Sequence, residues 1–218
     1  MINELIPLLE AIATNPSVQA ISTYQLARGL FKDFTDVRAD FFLTKLELFF
    51  DDMKGGELTE NGYKEFQNLL QKHEKNPEDV YRLTLIVLDR LDREYKAKLA
   101  SKLLNALLNG KLRFDQYDDL LKIVDDLIGS DATFILEQYK DSVYAYRNDT
   151  QANRLIAFGL LVNTPKVSLD DLRFVGGDEM KLRNSYSLTE YGVILAKCLN
   201  GEFLGDDFTQ KGSFQKST

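Results

Sequence analysis

The sequence predicts a mainly helical protein: an antiparallel multi-helix bundle followed by a small C-terminal α+β module. Three observations carry that expectation. Apolar residues recur at helical spacing through most of the chain. The breaks between periodic segments are short, which favours antiparallel neighbours. The last quarter changes character, and the run KVSLDDLRFVGGDEMKLRNSYSL alternates irregularly around Gly176-Gly177-Asp178, as a short hairpin would. The expected division is a helical bundle over 1–145, a module over 146–201 and a polar tail over 202–218.

The elements follow in order. INELIPLLEAIA (2–13) reads as a short helix with Pro7 in or near its first turn. A second helix is expected over 16–31, with Pro16 after a capping Asn15. Ala11 to Ala27 holds no charged residue, as suits a core helix, a dimer contact or a surface that meets a membrane or partner, and the stretch is too polar for a spanning helix. VRADFFLTKLELFFDDM (37–53) places Val37, Phe41, Leu46, Phe49, Phe50 and Met53 mostly on one face. After the turn KGGEL, Thr59 caps a helix through about Lys72 with Tyr63, Phe66, Leu69 and Leu70 inward. KHEKNPED is a polar break, and Pro77 starts the next helix. Three patterned helices then bury Val80, Leu83, Ile86, Val87 and Leu91; Leu99, Leu103, Leu104 and Leu107; and Tyr117, Leu120, Leu121, Val124 and Ile128. Gly129-Ser130-Asp131 closes that group, and ATFILEQYKDSVYAY forms another helix. DTQANRLIAFGLLVN is helical and ends in an aliphatic pair. In SLTEYGVILAKCLNG, Ser187 and Glu190 have capping-box spacing, and the helix runs to Asn200-Gly201.

The stretch NGKLRFDQY resembles half of a calcium-binding EF-hand loop. With Gly110 at loop position 6, Leu107 occupies position 3 and Gln116 position 12. Leucine cannot ligate, and glutamine cannot supply a bidentate carboxylate. The segment reads as a helix junction: Asn109-Gly110 ends one helix, and Asp115 caps another starting near Gln116, with Asp118 and Asp119 in its first turn. LTENGYKEFQNLL (58–70) and LTEYGVILAKCL (188–199) also echo each other, as two helices with one cap-and-glycine solution would.

Composition narrows the function. A net charge of −7 and a pI near 4.9 oppose general affinity for nucleic acid or anionic membrane. The single cysteine, Cys198, excludes an internal disulfide and a multi-cysteine metal site, and its apolar setting reads as a buried thiol. His73, the lone histidine, sits in a polar run and reads as a surface imidazole. No signal peptide or spanning helix is read, since Pro7 and Glu10 interrupt the first apolar run, so a cytoplasmic location is expected. Acidic pairs recur (Asp51-Asp52, Asp118-Asp119, Asp125-Asp126, Asp170-Asp171, Asp206-Asp207). Neighbouring positions on a helix point about 100° apart, so solvated faces explain them. No glycine-rich phosphate loop, HExxH or GxSxG is present. No catalytic residue, metal or cofactor is expected.

Helix, hairpin and LTEYG helix together resemble a winged-helix-like module. The run EDVYRLTLIVLDRLDREYKAKLASKLLNALLNGKLRFDQYDDLLKIVDDL, with the later FGLL and YSLTEYG, resembles helical proteins of bacterial prophage and mobile-element loci, over roughly 78–200. That resemblance implies a phage-defence-type context and carries no catalytic residue with it.

Two functions follow as expectations. The favoured one is a non-enzymatic adaptor or protein–protein interaction component, binding another protein or a second copy. Phe203, Phe208 and Phe214 in the polar tail are its candidate contacts, because phenylalanines there have no obvious core to join. The alternative is a DNA-binding transcriptional regulator using the winged-helix-like module. Residues 145–200 hold seven basic and six acidic groups, a net of +1 (7 − 6). Arg173, Lys181 and Arg183, around the expected wing, are the phosphate-contact candidates.

Overall fold

The computed structural model describes residues 2–14, 37–55, 59–141, 149–164 and 186–202. The described residues are mainly helical, with one two-stranded sheet. In chain order they form α1 (Ile2–Thr14), α2 (Val37–Gly55), α3 (Glu60–Lys72), α4 (Pro77–Arg90), α5 (Glu94–Leu108), α6 (Phe114–Asp126), α7 (Gly129–Asp141), α8 (Asp149–Ala157), β1 (Leu161–Asn163), β2 (Tyr186–Leu188) and α9 (Glu190–Leu199). The expected helix at 16–31, the 176–178 turn and the tail beyond 202 lie outside them. The chain divides into two compact units: Met1–Asp126 with Glu202–Thr218, and Leu127–Gly201. The expected boundary at 145/146 falls in 142–148, outside the described residues, and α7 belongs to the second unit.

In the first unit, α5 is central. It packs against α2, α3, α4 and α6. From Lys96 to Leu108 every residue except Lys98 is buried. Its leucines account for part of that, as their spacing predicts. Two of its buried polar residues find backbone partners: Lys96 Nζ donates to Asp125 O at 2.8 Å, and Asn105 Nδ2 donates to Met53 O at 3.5 Å. Helix α2 turns a slightly different face inward from the one expected. Leu46, Phe49, Phe50 and Met53 are buried, but so are Phe42 and Lys45, whereas Phe41 is 37% exposed. Helix α4 is likewise rotated. Val80, Tyr81, Thr84, Leu85, Val87, Leu88 and Leu91 are buried, while Ile86 is 41% exposed. Thr84 can point inward because its hydroxyl donates to Val80 O at 2.7 Å. Its one proton is thereby committed, so Tyr117 is the donor in the 2.5 Å contact between the two hydroxyls. Just after α6, Leu127 is buried, whereas Ile128, expected to be buried, is 47% exposed.

Helix ends follow local chemistry. Asn76 and Asp79 form a capping box around Pro77. Helix α6 starts at Phe114, earlier than its carboxylates suggest. Gln116, at the third helical position, accepts the Arg113 N–H at 3.0 Å, and Asp115 lies in the first turn. Helix α7 starts at Gly129 by the same means: Asp131 accepts the Ile128 N–H at 3.3 Å. At the end of α5, Gly110 has φ 67°, Gly110 N–H donates to Leu107 O, and Lys111 N–H donates to Ala106 O. That is a Schellman motif, and it confirms NGKLRFDQY as a helix junction.

In the second unit, α7 packs with α9 and β2, and α8 with β1. Strands β1 and β2 pair antiparallel, with Leu161 opposite Leu188, Val162 opposite Ser187 and Asn163 opposite Tyr186. The first strand therefore lies in the segment that sequence periodicity assigns to the end of a helix. Gly159, with φ 71°, stops α8 before it. The cap of α9 is Thr189, and Ser187 lies within β2.

Candidate functional site

The echo between LTENG and LTEYG is a shared docking device. Thr59 Oγ1 accepts the Gly62 N–H at 3.1 Å, and Thr189 Oγ1 accepts the Gly192 N–H at 3.1 Å. Each threonine also donates its own N–H to a Schellman end. Thr59 N–H reaches Asn109 Oδ1 at 2.9 Å, and Thr189 N–H reaches Leu160 O at 3.1 Å. The glycines are required by the close approach. A Cβ on Gly62 would stand 2.7 Å from Asn109 Cα, and one on Gly192 would run into the Leu160 carbonyl. Thr189 Oγ1 further donates to Gly159 O at 2.5 Å. The start of α9 is thereby fixed to the end of α8.

A second anchor ties α8 to α7. The Asp131 carboxylate is fully buried and accepts from Arg154 Nε at 3.1 Å, from Arg154 Nη2 and from Gln151 Nε2 at 3.3 Å. Gln151 Nε2 also donates to Ser130 O at 2.7 Å. A buried carboxylate survives when its charge is paired and its lone pairs are filled, as here.

Between these anchored elements lies a cavity of about 320 Å³. Gln138 and Tyr139 of α7, Tyr186, Ser187 and Leu188 of β2, and Val193 of α9 line it. Among the described residues the lining is uncharged and mixed: phenol, amide and hydroxyl groups beside two aliphatic side chains. Such a surface binds by shape and hydrogen bonding, and tyrosine supplies a large ring with a polar tip at low entropic cost.

The buried lysines Lys45 and Lys96 have structural partners. Lys45, 1% exposed, donates to Asp89 O at 2.8 Å and Leu91 O at 2.7 Å, capping the end of α4 from α2. Lys96 does the same for α6 and also pairs with Asp92 at 2.7 Å. A cation suits these sites because helix C-termini carry partial negative charge. Asp92 is held below the usual carboxylate range by its hydrogen bond from Lys96. Asp52 is pushed above it by burial, against the pull of Lys102, Ser101 and Lys98. Burial likewise pushes the Tyr81 and Tyr117 phenols up. Cys198 is buried and His73 exposed, as their surroundings in the sequence indicate.

Phe203, Phe208 and Phe214, and Arg173, Lys181 and Arg183, lie outside the described residues. The structure brings together a different set, of which the sequence echo marked only the cap-and-glycine pairs. The readable signals were Thr189 and Gly192, three apart, and Asp131 at the third position of a helix. Among the described residues no group of three or more His, Cys, Asp or Glu is placed to hold a metal ion, and no helix is long and apolar enough to cross a membrane. Comparison with protein-family models, curated proteins and solved structures returns no match for this chain.

Proposed function

We propose that this chain is a non-enzymatic adaptor or protein–protein interaction component, working in the cytoplasm in a prophage- or phage-defence-type context. The observation that carries the reading is the tyrosine-lined cavity beside β2, whose described lining carries no charge, set between elements tied together by Thr189, Gly192 and the Asp131–Arg154 pair. Buried Lys45, Lys96 and Asp131 serve helix ends and helix pairing. Exposed Phe41, Ile86, Ile128 and Val162 add apolar contact area. In this reading α1–α6 form an antiparallel helical bundle, and the tail with Phe203, Phe208 and Phe214 adds contacts to another protein or a second copy.

A second reading is a DNA-binding regulator. The order α7, α8, β1, β2, α9 within one compact unit favours a winged-helix-like module, with Arg173, Lys181 and Arg183 on phosphates. The net of +1 over 145–200 (7 − 6) gives it a weak electrostatic footprint.

Affinity capture of the tagged full chain from its native host, with and without nuclease, separates the two. The adaptor reading expects a protein partner retained after nuclease, with capture weakened by removing residues 202–218. Partners lost on nuclease treatment would put the DNA-binding reading first.

A further inference from the structure

We draw no further inference here: the strongest candidate, the side-chain cluster at the end of α2 where Asp52 meets Ser101 and Lys102 of α5, rests only on the raised pKa of Asp52, and nothing among the described residues points to a ligand there.

Discussion

Replacing Lys45 by methionine tests the packing of the first unit most sharply. The sequence places a lysine within an aromatic helix, where the ordinary expectation is a solvated charge. In the structure its ammonium is buried, 2.8 and 2.7 Å from the Asp89 and Leu91 carbonyls and 4.8 Å from the Phe41 ring centroid. Methionine keeps the length and fills the site without a large cavity. It removes two charge-assisted hydrogen bonds, together about 3–6 kcal/mol gross at roughly 1.5–3 each. Relief from holding a desolvated ammonium returns several kcal/mol of that. The carbonyls at the end of α4 stay where they are, now without this donor, so the loss wins. The expected net destabilisation is about 2–4 kcal/mol. In a chain of this length that lowers the melting temperature by roughly 4–16 °C, at about 2–4 °C per kcal/mol. Urea unfolding followed by far-UV circular dichroism measures it, with Lys64→Met, at an exposed position, as the control. If Lys45→Met is as stable as the wild type, the capping role assigned to this ammonium is wrong.

Three further outcomes are expected. Gly192→Ala forces a Cβ into the Leu160 carbonyl and should cost about 1–3 kcal/mol, whereas Gly129→Ala, with open space around it, should change stability by less than about 1 kcal/mol; thermal melts of the two variants compare them directly. Asp131→Asn leaves the half-buried Arg154 facing a neutral amide and should destabilise the fold measurably in denaturant unfolding, by about 1–3 kcal/mol, since it replaces a buried carboxylate that accepts charge-assisted hydrogen bonds. The pH dependence should carry opposite signs at two aspartates. Asp52 is raised in the fold, so the folded state holds its proton more tightly, and wild type should gain on Asp52→Asn as pH falls through the carboxylate range. Asp92 is lowered, so wild type should lose ground to Asp92→Asn over the same range. Stability measured from pH 7 to 3 for each pair checks both signs.

Helix existence was legible because apolar spacing and caps are local properties. Thr59, Asn76-Pro77 and Asn109-Gly110 mark ends that the structure keeps. Which face a helix buries was less legible. A lysine or threonine can turn inward when a neighbouring helix offers carbonyls or a phenol, as Lys45 and Thr84 do, and the spacing of hydrophobic residues carries no trace of that partner. The starts of α6 and α7 were missed for a related reason. Gln116 and Asp131 cap backward from the third helical position, and an acid or amide there looks like any other first-turn residue. The cavity was not legible at all. Its lining comes from α7 on one side and from β2 and α9 on the other, with Tyr139 and Tyr186 47 positions apart (186 − 139), and the Thr189–Gly159 and Asp131–Arg154 contacts tie these elements through α8. The strand β1 hides in FGLLVN because an apolar run of that length satisfies helix and strand alike, and only Gly159 breaks the tie.

The most direct test of the adaptor claim is native mass spectrometry of the nuclease-treated material captured from the host on the full chain. The expected result is a species heavier than 24.9 kDa by a further polypeptide, another protein or a second copy, at fixed stoichiometry. The bare chain alone, or mass that disappears with nuclease treatment, would contradict it.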